Sequence, residues 1–178
     1  MPIKSPLSVC WYLSSALVLL VFLNAKAQPN AFNVSVGADF PELLNLGLRY
    51  EWQKYQAGLA YGTGLSQSGE QDQAVTADFW YHFMGVPETS GRKPGYLRIP
   101  VEYLRADTGP RIEKDIYLGL RIGRELMFNT RTGIRADAGL SFLVLSRSIL
   151  ESTGDVFDSS DPAFDIMPGF GLAVFYKF

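Results

Sequence analysis

The chain has 178 residues, with 16 basic and 18 acidic side chains and a single cysteine, Cys10. This length fits one domain. A net charge of −2 without a basic cluster argues against nucleic acid as a partner. Because Cys10 lies in a segment predicted to be removed, the mature chain must be held together without disulfides.

The first 27 residues have the pattern of a secretory signal peptide. Lys4 supplies a basic start, residues 9–23 are mostly apolar, and Ala25-Lys26-Ala27 fits a small-residue cleavage site. The apolar run is shorter than the ~20 residues that a membrane-spanning helix needs. We therefore expect cleavage before Gln28 and one mature domain over residues 28–178. Cleavage removes two lysines and no acids, which leaves 14 basic and 18 acidic residues and a net charge of −4.

Eight stretches of the mature sequence alternate apolar residues with small or polar ones, the period of a strand with one apolar face. The C-terminal stretch is the clearest, because every second residue from Phe170 to Phe178 is apolar. In chain order, the predicted strands cover residues 32–39, 44–52, 55–64, 75–83, 97–104, 116–123, 134–144 and 166–178.

The segments between these strands are predicted to be turns and loops. Gln53-Lys54 is a short turn, and polar loops are expected over residues 66–73, 106–114 and 147–164, with a short helical turn possible within 143–150. The connection over residues 84–95 is longer than a tight turn between antiparallel strands. Pro100 interrupts the fifth strand, because proline cannot donate to a β-ladder, and predicts a bulge or a local break.

Strands of about ten residues have the length of membrane-crossing β-strands. A sheet can span lipid only by closing on itself, because lipid offers no partner for unpaired backbone groups. We therefore predict an all-β fold, an eight-stranded antiparallel up-and-down transmembrane β-barrel in the outer membrane of a Gram-negative cell. The even strand count puts both termini on one side, which is the periplasm in such barrels.

The non-apolar faces of the strands are rich in glycine, which weakens a solvent-facing strand but makes room inside a narrow barrel. The apolar faces are therefore expected to point outward to lipid. We expect Arg135 and Asp137 to fill the space over the glycines of the third strand, and Trp80 and His82 the space over those of the last strand. The alternative is a soluble lipocalin-like, ligand-binding barrel with the apolar face inward.

Charged residues on the inward faces nearly balance, and buried charges must be paired. We predict an internal network in which Arg49, Arg98, Arg121, Arg135 and Lys177 meet Glu51, Asp78, Glu102 and Asp137. An eight-stranded lumen is only wide enough for side chains, so we expect no open channel. A narrow porin or small-solute channel is the alternative.

Aromatic residues cluster toward the predicted periplasmic ends of the strands, where barrels carry an interfacial girdle. They are Phe32, Trp52, Tyr55, Tyr81, Phe83, Tyr176 and Phe178.

Two motifs resemble known outer-membrane proteins. Gly171, Val174, Tyr176 and Phe178 form a pattern similar to the C-terminal signal that such barrels present to their assembly machinery, although the usual glycine position holds Ala173. Residues 96–103, Tyr-Leu-Arg-Ile-Pro-Val-Glu-Tyr, resemble the Tyr-Leu-x-Ile-Pro strand of the PorT-like outer-membrane β-barrel family. The resemblance implies an outer-membrane barrel recognised by the barrel-assembly machinery. It implies no catalytic residues.

Catalytic and metal sites are not expected. His82, Ser141 and Asp137 share the inward face, but the predicted topology separates His82 from Ser141 by roughly 20 Å at ~3.3 Å per residue. Asp155, Asp158 and Asp161 match no calcium-loop motif. We therefore predict a non-enzymatic structural or surface-interaction protein without cofactors, surrounded by outer-membrane lipid, whose outer loops contact an unknown partner.

Overall fold

The computed structural model describes residues 32–40, 43–64, 71–87, 92–107, 111–150, 156–157 and 165–178. The predicted signal peptide lies outside these residues. The described ranges form nine strands, numbered in chain order: β1 (Phe32–Phe40), β2 (Leu43–Trp52), β3 (Tyr55–Thr63), β4 (Gln71–Met84), β5 (Gly95–Asp107), β6 (Arg111–Met127), β7 (Thr132–Leu150), β8 (Val156–Phe157) and β9 (Ile166–Lys177). Within these ranges, no helix has the length and apolar character needed to cross a membrane.

Eight of the strands close into an antiparallel up-and-down barrel. From β1 to β7, each strand pairs with the one that follows it. The ring then continues from β7 to β9, and β9 closes it by pairing with β1. At the closing seam, Val34 is opposite Tyr176 and Ala38 is opposite Leu172. The two-residue β8 only extends the sheet at the end of β7, where Ser148 is opposite Phe157. The predicted fold, with eight strands in the barrel, is confirmed.

The two ends of the barrel differ. At one end, here called the terminal end, β1 begins and β9 ends, and the connections β2–β3, β4–β5 and β6–β7 lie there. The opposite end, here called the loop end, carries the remaining connections.

Several strands are longer than the alternation predicts. The loops expected over 66–73 and 106–114 are partly strand, since β4 begins at Gln71, β5 ends at Asp107 and β6 begins at Arg111. The alternative of a short helical turn within 143–150 is wrong, because β7 continues to Leu150. The physical reason is that backbone pairing continues where side chains no longer alternate between an apolar wall and a polar interior.

Pro100 causes a local break and not a bulge. Pairing between β5 and β6 passes from Arg98–Arg121 directly to Val101–Leu118 with unchanged register. The register shifts elsewhere, between His82 and Met84 on the β4–β5 ladder and between Ile116 and Tyr117 on the β6–β7 ladder.

The apolar side chains face outward. Leu46, Leu48 and Leu172 are 59%, 53% and 59% exposed, whereas Arg49 is 2% exposed. The described strands therefore have a polar interior and an apolar outer wall. The lipocalin-like alternative is wrong, because it required the opposite orientation.

Glycines do make room inside the barrel, but for different partners than expected. A Cβ atom at Gly123 would meet the phenol ring of Tyr96 at 2.5 Å, and one at Gly171 would collide with the carboxylate of Asp39. The side chains nearest to Gly58 are those of Asp78 and Arg49. The expectation that Arg135 and Asp137 fill the space over the glycines of the third strand is therefore wrong for Gly58. The expectation that Trp80 and His82 fill the space over those of the last strand is wrong for Gly171. At these three glycines, side chains from the adjacent strands fill the space instead, as strands tilted by ~35–45° allow.

Candidate functional site: the charged interior

The charged side chains of the barrel interior form two clusters, in which opposite charges are equal in number. Among the described residues, six basic and five acidic side chains are buried, and the clusters also include the half-buried Glu51. Ions taken out of water need close partners of opposite sign. Each group of buried charges in the lumen must therefore contain both basic and acidic side chains. The residues are Arg49, Arg92, Arg98, Arg121, Arg135 and Lys177, with Asp39, Glu51, Asp78, Glu102, Glu125 and Asp137.

Glu51, near the end of β2, organises a first cluster at the terminal end. Its carboxylate lies 3.1 Å from the ammonium of Lys177 and 2.8 Å from Nη1 of Arg92. Asn33 donates a hydrogen bond of 2.8 Å to Glu51 Oε1, and Gln56 donates one of 3.1 Å. Strands β1, β2, β3 and β9 are thereby linked to the β4–β5 connection through one side chain.

Arg92 comes from the connection between β4 and β5. Its Nη2 lies 2.6 Å from Glu125 Oε2, and both side chains are 6% exposed. The connection starts at Gly85, whose φ of +94° is a conformation that favours glycine. Its unexpected length therefore has a structural role, since it carries Arg92 into the terminal end of the lumen.

Asp39, near the end of β1, organises a second, central cluster. Its Oδ1 is 3.0 Å from Arg98 Nη1 and 3.4 Å from Arg121 Nη1. Asn45 donates a 2.6 Å hydrogen bond to its other oxygen. One carboxylate thus compensates two arginines from β5 and β6, on the other side of the lumen.

The two arginines bind further carboxylates. Arg121 Nη2 is 2.5 Å from Glu102 Oε1 and donates a 2.9 Å hydrogen bond to the carbonyl oxygen of Phe40. Arg98 Nη2 is 3.1 Å from Asp78, and its Nη1 is 3.6 Å from Asp137. Charges of both signs alternate across the lumen, unlike a row of one sign that would line an ion path.

Trp80 of β4 lies beneath three guanidinium groups. The Cζ atoms of Arg49, Arg98 and Arg135 are 4.8, 5.0 and 4.9 Å from the centre of its ring. Cation–π attraction is largest where water is excluded, and Trp80 is fully buried. The indole therefore packs the middle of the lumen and also stabilises the positive charge around it.

The interior places His82 and Ser141 in separate surroundings. His82 Nδ1 is 2.9 Å from the carbonyl oxygen of Lys93, and its ring lies 5.4 Å from that of Tyr96. The hydroxyl of Ser141 lies beside Gly169, where Arg121 also packs. The Asp137 carboxylate accepts a 3.0 Å hydrogen bond from the hydroxyl of Tyr96. These partners differ from those of a hydrolytic triad.

Metal-ligand geometry is absent from the described residues, among which no group of three or more histidine, cysteine, aspartate or glutamate side chains could hold an ion. Asp155, Asp158 and Asp161 lie outside the described residues.

All nine residues predicted for the lumen network line the interior. Arg49, Asp78, Arg98, Glu102, Arg121 and Asp137 meet in the central cluster, Glu51 and Lys177 meet at the terminal end, and Arg135 contacts Trp80 and donates to Ser35 over 3.4 Å. Of the proposed C-terminal signal, Gly171 faces inward and the other three residues, Val174, Tyr176 and Phe178, face outward.

The sequence interpretation missed three network members. Asp39 is in phase with the inward face of β1, so the alternation contained a signal for it. Glu125 continues the inward phase of Arg121 and Gly123, beyond the predicted end of β6. The sequence contained no such signal for Arg92, because side chains in a connection between strands do not alternate regularly between two faces.

Comparisons with known proteins identify the fold alone. No protein-family profile matches the chain, and no curated protein is similar to it in sequence. Among solved structures, it is similar to the N-terminal β-barrel domain of OprF from Pseudomonas aeruginosa, with a TM-score of 0.53 and 16% sequence identity. The match covers 84% of this chain and 98% of that chain.

Proposed function

We propose that this chain is an integral outer-membrane barrel protein with a structural or surface-interaction role, whose lumen is filled by side chains and forms no open channel. The apolar outer wall carries the proposal. It includes Val36, Leu46, Leu48, Leu59, Leu118, Leu120, Ile122, Leu140, Phe170, Leu172 and Val174, which are all exposed in the isolated chain. So large an apolar surface around a closed ring needs lipid or another apolar medium to cover it.

An aromatic girdle at the terminal end supports the same proposal. Successive ring pairs from Phe32 through Tyr50, Trp52, Tyr55 and Tyr81 to Phe83 have centroids 5.0–6.0 Å apart. Such belts lie at the level of lipid headgroups in membrane barrels. Because the even number of barrel strands brings β1 and β9 to this end, and both termini of such barrels are periplasmic, we infer that the terminal end faces the periplasm.

Membrane insertion is tested by fractionation of cells that express the chain, followed by electrophoresis with and without boiling. A closed barrel in the outer membrane sediments with that membrane and migrates differently before and after boiling. Recovery in the soluble fraction without detergent contradicts the proposal.

The closed lumen rests on the two charge clusters, because Glu51 and Asp39 each join several strands at their own level. Planar-bilayer recordings of the purified protein test it. We expect no stepwise conductance for the protein as isolated. Reproducible single-channel steps would favour the porin alternative instead.

The proposed partners are lipid, the barrel-assembly machinery and a surface molecule. The outward placement of Val174, Tyr176 and Phe178 suits recognition of β9 before the barrel closes. Replacing Phe178 with alanine is expected to reduce the amount of barrel assembled in the outer membrane, whereas the same change at Phe128 is the control. Most of the loop-end connections that would meet a surface molecule lie outside the described residues.

A further inference from the structure

The exposed side chains that are charged at neutral pH at the terminal end are all of one sign. Among the described residues they are Lys54, Lys93, Arg124 and Arg131, all basic. The carboxylates at this level, Glu51 and Glu125, point into the lumen and are paired there. At the loop end, by contrast, exposed Asp165 and Arg147 have opposite signs.

Two of these basic residues line a cavity of about 410 Å³ beneath the girdle, together with Tyr81. The ammonium of Lys54 lies 5.4 Å from the ring centre of Tyr55 and 5.2 Å from that of Tyr81. The ammonium of Lys93 donates a 3.1 Å hydrogen bond to the carbonyl oxygen of Phe83. Within the part of the chain that the structure describes, neither ammonium has a carboxylate partner to compensate the positive charge that it brings to the cavity.

An apolar groove of about 440 Å³ lies on the outer wall, where the girdle residues Phe32, Tyr50 and Trp52 line it. It exists because two outward positions hold alanine, Ala57 opposite Tyr50 and Ala77 opposite Leu59. Larger side chains, among them Leu48 and Trp52, form its sides. Its volume lies in the range of ~300–1,000 Å³ that is usual for small-molecule sites.

The groove and the cavity are joined by ring contacts. Trp52 lines the groove and Tyr81 lines the cavity. Tyr55 lies between them, with its ring centre 6.0 Å from that of Trp52 and 5.6 Å from that of Tyr81. A ligand with an anionic head and a hydrocarbon chain would cross the girdle here.

We propose that this surface binds one anionic glycerophospholipid of the adjoining leaflet, with its phosphate held by Lys54 and Lys93 and one acyl chain lying over Ala57 and Ala77. The inference rests on the proposed membrane location. A free phosphate would use only the basic half of the surface, and a zwitterionic lipid would leave the positive charge less well compensated. Lysines at a membrane interface also extend readily toward phosphate groups.

Native mass spectrometry of the folded protein in detergent micelles tests this inference, with phosphatidylglycerol and phosphatidylcholine of identical acyl chains as probes. We expect the protein to retain phosphatidylglycerol in preference. The double variant K54Q/K93Q should bind it about tenfold more weakly or worse, because each lysine near an anionic headgroup contributes a several-fold factor. The matched control is R131Q, which changes a basic residue at the same end that lines neither the cavity nor the groove. This variant should bind phosphatidylglycerol as the unmodified protein does.

The groove is tested separately with the double variant A57L/A77L, which fills it with side chains. Weaker binding of phosphatidylglycerol supports an acyl chain in the groove, and unchanged binding overturns that part of the proposal. Equal retention of both lipids, unchanged binding by K54Q/K93Q, or displacement by millimolar inorganic phosphate overturns the phospholipid site. Migration before and after boiling shows whether each variant is folded. Absence of lipid selectivity in the unmodified protein, while that protein still fractionates with the outer membrane, contradicts this inference and leaves the proposed function intact.

Discussion

Arg92 Nη2 lies 2.6 Å from Glu125 Oε2, and this contact joins the β4–β5 connection to the inner wall of β6. The same guanidinium reaches Glu51 on β2 with its Nη1 at 2.8 Å. A residue outside the barrel strands therefore links two of them across the lumen. Such a contact converts a connection into part of the packed interior.

Replacing Arg92 with alanine is expected to lower the free energy of unfolding by about 3 kcal/mol. The reason is that the carboxylates of Glu51 and Glu125 lose a guanidinium partner that is itself buried. The measurement is urea unfolding in lipid vesicles, followed by tryptophan fluorescence. Replacing the exposed Arg131 with alanine is the control and should change stability by only about 0.5 kcal/mol. Equal effects of the two substitutions would show that the Arg92 contacts contribute little. We also expect the Arg92 variant to remain non-conducting, because the central cluster still fills the lumen.

Asp39 compensates two buried arginines, so Asp39→Asn should be strongly destabilising, by about 3 kcal/mol. The comparison is Asp107→Asn, since Asp107 pairs with Arg105 at 3.6 Å with both side chains more than a third exposed. Exposed pairs contribute about 0–1 kcal/mol. Unfolding midpoints in the same vesicles should therefore separate the two variants clearly, and overlapping curves would contradict the importance assigned to the central cluster.

Gly139 on β7 lies against the backbone of β6, where an added Cβ would collide with the carbonyl oxygen of Leu120 and lie 2.7 Å from the Cα of Arg121. Backbone atoms in a ladder cannot move aside, so Gly139→Ala is expected to cost about 2–3 kcal/mol and to reduce the yield of folded barrel. At Gly47, the added Cβ meets the small Ser35 hydroxyl at 2.9 Å and the Ala60 methyl group at 3.5 Å. Gly47→Ala should therefore be the milder change in the same refolding assay.

The orientation of the wall predicts different lipid access for the two tryptophans of residues 28–178. Trp52 belongs to the outer girdle, whereas Trp80 is fully buried among three arginines. In vesicles of brominated phospholipid, a Trp80→Phe variant, which retains Trp52, should lose much of its fluorescence. A Trp52→Phe variant should be quenched far less. Stronger quenching of Trp80 than of Trp52 would place the polar face of β4 against lipid and contradict the proposed arrangement.

Period-two alternation allowed all eight barrel strands to be located from the sequence, and the glycines on one face allowed the inward side to be identified. Both are local properties, since side chains on a strand alternate between faces whatever the neighbouring strand is. Alternation did not predict the strand bounds at the loop end of the barrel. At Gln71, Asp107 and Arg111 the backbone ladder continues beyond the apolar wall, so β4, β5 and β6 were predicted too short.

The sequence by itself determined that the strands alternate, that a polar set of side chains shares one face, and that the charges on that face nearly balance. Only the tertiary structure decided which charges meet. Pairing such as Asp39 with Arg121 depends on strand tilt and on side chains that reach across the lumen, and Arg92 enters from a connection without a period. Contacts between residues 82 positions apart in the chain arise from closure of the ring, which no local pattern encodes.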